Sequence, residues 1–355
     1  MATNTTENLH IMNLEDVQMN RILWLWRDWL PLGKMTILAG AAGCGKTNLA
    51  LALASKITTG GTFPDGTPCE HPGEVLIFST EDDPSDTLKP RLIANGADIS
   101  KVSIITGCSH KNNTFEPFNP TKDFPKIEQY IKNTPNLKLL IIDPIVSAVS
   151  GDLNKANDVR RSLQPLVDLS NQYNFAILGI THFSKNSAQN SPVDRILGSQ
   201  AFSAISRMAW TATRRDIHDD YILVRAKSNI STLEGGIRYQ IECIEIDDDI
   251  ETTATNWLGT VEGNAVELLN ARDFVKHDSD SVIKNTKVFL IELLGSVESM
   301  SSKDVQSKAK DAGFSQASIR RARQLLDIKP FRPHGEKVWF WSLPQSHRSD
   351  HSTDF

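Results

Sequence analysis

The sequence has 355 residues and a net charge of −5, which argues against a protein that binds nucleic acid over its whole surface. Its four cysteines (Cys44, Cys69, Cys108 and Cys243) form no C-x-x-C pair, so they indicate neither a zinc site nor a disulfide framework. The first residues lack the basic and apolar regions of a signal peptide, and no apolar run reaches the roughly 18 residues of a membrane span. We therefore expect a cytoplasmic protein without membrane association, built from one large and one smaller domain.

Residues 36–56 combine an apolar run, a glycine-rich turn and a helical pattern. Thr36–Ala39 predicts a buried strand, and the residues from Asn48 onwards predict a helix. The turn between them fits G-x-x-x-x-G-K-[ST], the P-loop pattern, with the residues Gly40, Ala41, Ala42, Gly43, Cys44, Gly45, Lys46 and Thr47.

A P-loop of this kind binds phosphates through backbone N–H groups and the N-terminus of the helix that follows. Residues 40–48, including Asn48, are therefore predicted to contact the cofactor. Lys46 would reach the β- and γ-phosphates, and Thr47 would coordinate Mg²⁺. The sequence predicts a nucleoside-triphosphate site, with ATP and Mg²⁺ as the expected cofactors.

Along the chain, residues 1–20 are polar and predicted to be poorly ordered. The apolar segments 73–83, 137–149 and 174–185 predict buried strands, with helical patterns at 84–95, 122–133 and 156–172. Strands that alternate with helices indicate an α/β fold, with a mostly parallel sheet and helices on both faces. Segments 208–216, 221–229 and 237–246 predict strands joined by short turns, which we interpret as an antiparallel extension.

Polar residues stand where the predicted parallel strands end, which is where α/β proteins bind ligands. Asp143 follows Leu139–Ile142 and is typical of a Walker B acid that holds Mg²⁺, although such a carboxylate can also cap a helix. Glu81 follows the preceding strand and would polarise the attacking water, with Asp82 as the alternative. His182 ends the strand after Asp143 and would sense the γ-phosphate, unless its role is only structural.

Several cations follow His182. Segment 184–200 is long and polar, so Lys185 and Arg195 are candidates for phosphate contacts, the alternative being a solvated loop. Arg207 is predicted to lie on the helix "SQAFSAISRMAW", and Arg225 and Lys227 alternate on a strand. Each alone is typical of a surface charge, but together they are candidates for a finger inserted into a neighbour's γ-phosphate.

The chain after residue 275 differs in charge and pattern. Residues 281–344 contain 11 Lys and Arg against 6 Asp and Glu, and the rest of the chain is strongly acidic. Three helical patterns and a hairpin pattern predict a winged helix-turn-helix domain at 278–344, followed by a poorly ordered tail at 345–355. Arg320, Arg321 and Arg323 would face a DNA major groove. The alternative is a winged helix that docks a protein and on which these arginines form a solvated basic face.

The motifs "LPLGKMTILAGAAGCGKTNLALALA", "VLIFSTEDD", "LLIIDPIVSAV", "ILGITHFSK", "ILGSQAFSAISRMAW" and "RAKSN" occur in this order. In this order the chain resembles the RecA-like ATPases of the plasmid RepA hexameric helicase type and, more distantly, DnaB-like replicative helicases. The resemblance covers roughly residues 20–245, and the predicted RecA-like ATPase domain spans residues 21–270. The C-terminal residues resemble the winged-helix tails of phage and mobile-element members.

The resemblance implies a role for each candidate residue. Lys46 and Thr47 would act in the P-loop, Glu81 as the catalytic acid, Asp143 in magnesium binding and His182 as the γ-phosphate sensor. It also implies Arg207 as an arginine finger from the adjacent subunit of a homo-hexamer. The loop after His182 would contact single-stranded DNA. Because no primase domain is visible, a primase or initiator protein is a possible partner.

Three functions are compatible with these features. The first is an ATP-driven, ring-forming helicase or translocase on single-stranded DNA, which Glu81 and the finger candidates favour. The second is an ATP-switched DNA-binding initiator or regulator that does not unwind DNA. The third is a small-molecule kinase, which would leave the finger candidates and the DNA-type tail unexplained.

Overall fold

The computed structural model describes residues 11–109, 115–153, 155–182, 200–215, 220–247, 250–270, 274–295, 297–312, 314, 316–333 and 338–344. The chain divides into two compact units, the first formed by residues 1–214 and 219–269 and the second by residues 215–218 and 270–355. Of the terminal segments predicted to be poorly ordered, 1–10 and 345–355 lie outside the described residues. Within 11–20, a short 3-10 turn spans Leu14–Asp16 and is capped by the Asn13 side chain.

The first unit contains strands from every apolar segment that the sequence predicted. The strands are β1 (Trp24–Trp26), β2 (Leu30–Pro31), β3 (Met35–Gly40), β4 (Glu74–Ser79), β5 (Val102–Ile104), β6 (Cys108–Ser109), β7 (Phe115–Glu116), β8 (Leu137–Asp143), β9 (Ala176–His182), β10 (Met208–Arg215), β11 (Asp220–Ser228), β12 (Glu234–Asp247) and β13 (Ile250–Asn264). The helices are α1 (Lys46–Thr59), α2 (Lys89–Ala94), α3 (Pro120–Asn133), α4 (Ala156–Tyr173), α5 (Gln200–Ile205) and α6 (Ala265–Asn270).

Nine of these strands form one sheet in the order β13-β12-β11-β10-β3-β9-β8-β4-β5. The pairs from β10 to β5 are all parallel, whereas β12 pairs antiparallel with both β11 and β13. The prediction that segment 208–216 begins an antiparallel extension was therefore wrong, because β10 runs parallel to β3. β13, which pairs with β12 along almost its whole length, was not predicted from the sequence.

Helices cover both faces of the sheet, as the alternation of strands and helices predicted. The buried side chains of β8 show why, since successive residues of a strand point to opposite faces. Leu139 and Ile141 belong to the core that contains α1, and Leu140 and Ile142 belong to the core that contains α3 and α4. Because both faces of β8 are buried at Leu139–Ile142, these four residues form an uninterrupted apolar run.

The parallel pairing brings the predicted site residues to one edge of the sheet. Gly40 at the end of β3 is in register with His182 at the end of β9. Ser79 at the end of β4 is in register with Asp143 at the end of β8. Glu81 follows two residues after Ser79, so the P-loop, the two acids and the histidine share this edge.

The second unit has its own apolar core. Its described elements are α7 (Phe274–Gly295), β14 (Met300–Ser301), α8 (Ser302–Asp311), α9 (Gln316–Leu325) and β15 (Phe340–Trp341). β14 pairs antiparallel with β15, and Phe331 and Phe340 form an antiparallel bridge. Leu290, Leu294 and Ile319 pack into the core with Trp341. The three helices agree with the helical patterns of the sequence, and the winged helix-turn-helix remains an interpretation. No helix in the described part of the chain is long and apolar enough to cross a membrane.

Candidate nucleotide-binding site

The P-loop connects β3 to α1 and leaves a pocket of about 350 Å³ at the carboxyl edge of the sheet. Gly40 enters this loop at a crowded position, since a Cβ there would stand 2.5 Å from the carbonyl oxygen of Ala212 and 2.7 Å from Cys44 Sγ. The pocket is lined by Gly43, Gly45, Lys46, Thr47, Asn48, Glu81, Asp82, Arg91, Asp143, His182, Tyr221, Ile241 and Thr253. The pocket therefore combines the predicted P-loop, acid and histidine residues with side chains that the sequence did not single out.

Lys46 is the first residue of α1, and its ammonium group lies inside the P-loop. Its Nζ is 3.2 Å from the carbonyl oxygen of Gly40 and 2.9 Å from that of Ala41. It is also 3.2 Å from Nδ1 of His182. An ammonium group only donates hydrogen bonds, so Nδ1 of His182 is the acceptor in this contact.

His182 connects Lys46 to Glu81. Its Nε2 is 3.8 Å from Oε1 of Glu81, and both side chains are about half exposed to the pocket. Asp82, the alternative acid, is instead paired with Arg91 at 3.0 Å. Because the ion pair occupies Asp82, Glu81 is the better placed of the two carboxylates to act on a water molecule.

Asp143 and Thr47 contact each other at one side of the pocket. Thr47 Oγ1 donates a hydrogen bond of 2.6 Å to Asp143 Oδ2, and Asp143 is only 2% exposed. Burial is the main cause that raises the pKa of Asp143 to about 6, with further contributions from the charges of Glu81 and Asp82. A hydroxyl and a buried carboxylate are hard oxygen ligands, so the donor set fits Mg²⁺ bound between them and a phosphate. Bound Mg²⁺ would supply the charge that keeps Asp143 ionised.

Two residues of the predicted phosphate-binding stretch have side chains that are hydrogen-bonded within the protein. The Cys44 thiol is buried, donates to the carbonyl oxygen of Ala41 at 3.0 Å, and has a pKa raised by that burial. The Asn48 amide donates to Thr253 Oγ1 at 3.0 Å and holds β13 against α1. Their side chains are therefore structural, which limits any role in phosphate binding to their backbone.

The three finger candidates lie in different surroundings. The sequence had placed Arg207 on a helix, but α5 ends at Ile205 and Arg207 lies in the bend just before β10, which begins at Met208. It is exposed, and its backbone N–H donates to the carbonyl oxygen of Met35 at 3.1 Å. Lys227 lies near it, since the charge of Arg207 and burial both lower the pKa of Lys227, burial more strongly.

Arg225 does not fit the role of a finger. Its guanidinium donates to the carbonyl oxygens of Asp28 and Glu234 and lies 4.6 Å from the centre of the Trp29 ring. Only 8% of the residue is exposed, and burial lowers its pKa. This side chain joins the sheet to the segment before the P-loop, so that candidate was wrong.

Not all predicted DNA contacts can be placed. Lys185 and Arg195 lie outside the described residues. On α9, Arg320 and Arg321 are exposed, but Arg323 lies over the Trp341 ring at 5.2 Å from its centre. The prediction that all three arginines face outward together was therefore wrong for Arg323, whose guanidinium packs on the core of its own unit.

The pocket contains residues that sequence reasoning missed. Tyr221, Ile241 and Thr253 lie on β11, β12 and β13, and Arg91 lies on α2. They are far from the P-loop along the chain and belong to no motif. The alternation of Ile237, Tyr239 and Ile241 on β12 shows that these three side chains share one face, but not that this face meets the P-loop.

The fold and the site together define a P-loop ATPase. The nine-stranded, mostly parallel sheet is consistent with a RecA-like domain, and the P-loop lies at the carboxyl end of its strand beside Asp143 and His182. A family model described as an AAA domain matches residues 5–188, just over half of the chain. The chain belongs to this AAA domain family. No curated protein matches the sequence.

Proposed function

We propose that this chain is a ring-forming ATPase of the plasmid RepA type that translocates on single-stranded DNA and unwinds duplex DNA. The observation that carries the proposal is the position of Arg207 relative to the P-loop. The Arg207 backbone pairs with Met35 at the beginning of β3, and the P-loop follows Gly40 at the end of β3. At about 3.3 Å per residue these ends are roughly 16 Å apart.

This separation is too long for Arg207 to reach the nucleotide of its own chain. An exposed arginine at the edge opposite the P-loop can approach a γ-phosphate only if a second copy presents its pocket there. Contacts that join opposite edges of identical copies are heterologous, and they close into rings when the rotation between copies permits. A homo-hexamer with one nucleotide at each interface is the assembly we propose.

The network Lys46–His182–Glu81 supports hydrolysis rather than binding alone. Lys46 would leave the carbonyl oxygens of Gly40 and Ala41 to contact the β- and γ-phosphates. Glu81 would orient the attacking water, and His182 would report the γ-phosphate to the chain that follows it. A switch that only binds nucleotide requires neither this carboxylate nor a finger from a neighbour.

A second candidate function is an ATP-switched initiator or regulator that binds duplex DNA without unwinding it. The exposed Arg320 and Arg321 in the second unit favour this reading, because a DNA-binding helix would present such side chains to phosphates or bases. For the helicase, a primase or initiator protein is the partner that we propose. The kinase hypothesis would leave the exposed Arg207 and the basic residues of the second unit without a role.

One experiment on the full chain distinguishes the helicase from the ATP-switched initiator or regulator. The ATPase rate is measured with and without single-stranded DNA, alongside strand displacement on a forked duplex, with Lys46→Ala as the inactive control. Stimulated hydrolysis with ATP-dependent displacement supports the helicase. Hydrolysis without displacement favours the switch, and a rate equal to that of Lys46→Ala contradicts both ATP-driven functions.

A further inference from the structure

The hairpin formed by β12 and β13 contacts the P-loop through a residue that no motif marks. Tyr239 on β12 is completely buried, and its hydroxyl donates a hydrogen bond of 2.6 Å to the carbonyl oxygen of Cys44. Burial raises the pKa of Tyr239 well above its usual range, so the hydroxyl remains protonated and keeps its role as a donor.

The Tyr239 ring is held in place from both sides. It stacks on Tyr221 of β11 with 5.3 Å between ring centres and lies 6.1 Å from the Trp257 ring of β13. Tyr221 and Trp257 are its cross-strand partners in the sheet. A phenol fixed by two neighbouring rings presents its hydroxyl at a defined point, which a flexible side chain would not do.

The direction of this hydrogen bond determines where the next amide points. In a planar trans peptide the carbonyl oxygen and the following N–H point in opposite directions. The described chain has one cis peptide, Asp143–Pro144, so the Cys44–Gly45 peptide is trans. Because the carbonyl oxygen of Cys44 faces Tyr239, the Gly45 N–H points away from Tyr239, and Gly45 is one of the residues that line the pocket.

The same hairpin leaves no room for a side chain at Gly45. Its φ of 73° lies in the left-handed region, and a Cβ there would stand 2.7 Å from Ile241 Cδ1. The bond between Asn48 and Thr253 attaches the hairpin to α1 one turn further on. The hairpin therefore meets the P-loop at Cys44 and Gly45 and the first turn of α1 at Asn48.

We propose that Tyr239 is a positioning residue for nucleotide binding, which orients the Cys44–Gly45 peptide so that the Gly45 N–H faces the phosphates. The inference rests on the proposed nucleotide site but not on the proposed action on DNA. Tyr239 touches no reacting atom, and its effect on the ligand passes through the peptide that it holds.

The test compares variants of the full chain by their affinity for Mg²⁺·ATP and Mg²⁺·ADP. Tyr239→Phe keeps the stacked ring and removes only the donor, so the Cys44–Gly45 peptide of the nucleotide-free chain can turn its carbonyl oxygen to another partner. Nucleotide binding must then restore the original orientation, which should raise both dissociation constants about tenfold, the magnitude of one buried hydrogen bond. The kcat at saturating ATP should change by less than about twofold, because no group that acts in the transition state is removed. Replacing Tyr239 by para-aminophenylalanine restores a donor and should restore affinity.

Tyr130→Phe is the matched control, since this tyrosine lies on α3 in the other core. Unchanged dissociation constants for folded Tyr239→Phe would overturn the proposal, as would a loss confined to kcat. If Tyr239→Phe does not fold, the proposal is tested instead by hydrogen exchange at the Gly45 amide of the parental chain. The proposal predicts fast exchange without nucleotide and protection with ADP, and protection in both states would overturn it. Because these are binding measurements, a chain that binds ATP but shows no DNA-dependent activity would contradict the proposed function alone.

Discussion

Replacing Asp143 by asparagine should stabilise the nucleotide-free protein at neutral and alkaline pH. The carboxyl group is 2% exposed, and its pKa of about 6 lies above the ordinary value of 3.8. The folded state thus binds the proton more tightly than the unfolded state does. The stability that the protonated group contributes is fully present below about pH 4 and is lost as the pH rises through 6.

The size of the effect follows from the shift of about two pKa units. At 1.36 kcal/mol per unit, ionised Asp143 costs the folded protein up to about 3 kcal/mol at pH 8. Asparagine has nearly the same shape, can accept the Thr47 hydrogen bond and carries no charge. Asp143→Asn should therefore raise the melting temperature at pH 8 by roughly 5–10 °C for a unit of this size, and by little at pH 4.5.

The assay is thermal unfolding of both proteins between pH 4.5 and 8, with a chelator present and no nucleotide. Asp83→Asn is the control of opposite sign, because hydrogen bonds from Ser85 lower the pKa of Asp83 and its ionised form is the favoured one. Asp83→Asn should give no stabilisation as the pH rises. Parallel melting curves for Asp143→Asn and the parent at every pH, or a less stable Asp143→Asn at pH 8, would refute the reasoning.

Two further predictions concern hydrolysis and DNA binding. Glu81→Gln should retain ATP binding and lose at least about 10²-fold in turnover, whereas Asp82→Asn should keep most of it, and the reverse result would assign the catalytic acid to Asp82. The double variant Arg320→Ala and Arg321→Ala should lower the log–log salt slope of duplex DNA binding by about 2, as measured by a salt titration. Arg323→Ala should instead lower the melting temperature, and equal loss of DNA affinity in both variants would contradict the placement of Arg323.

Local patterns were enough to predict which of these side chains meet around the P-loop. The P-loop glycines, Lys46 and Thr47 are contiguous, and Asp143 and His182 each end an apolar strand. Parallel pairing places strand ends at a common edge, so adjacency in space followed from the fold class. The contacts of Lys46 with His182 and of Thr47 with Asp143 agree with that expectation.

The parts that sequence reasoning missed depend on contacts between distant segments. The alternation of Arg225 and Lys227 along β11 does not show whether the Arg225 side chain is exposed or buried. That is determined by its packing on Trp29, which lies far away in the sequence. Arg323 differs from its neighbours because the Trp341 ring lies beneath it. The direction of β10 is set by its pairing with β3, which no residue of the segment encodes locally. In the sequence, Tyr239 looks like any other buried aromatic residue of an alternating strand. Only the structure shows that its hydroxyl donates a hydrogen bond to the P-loop.

The most direct test of a site completed by a neighbouring copy is to mix two inactive variants. A Lys46→Ala chain keeps an intact finger, and an Arg207→Ala chain keeps an intact pocket. Each variant alone should lose ATPase activity, and the loss for Arg207→Ala should be about 10³–10⁵-fold. In a ring with heterologous interfaces, random 1:1 mixing places a good pocket beside a good finger at about one interface in four. ATP hydrolysis should therefore recover to about a quarter of the parental rate once subunits have exchanged, as verified by mixing differently labelled chains. Demonstrated exchange without recovery at any ratio would contradict the account.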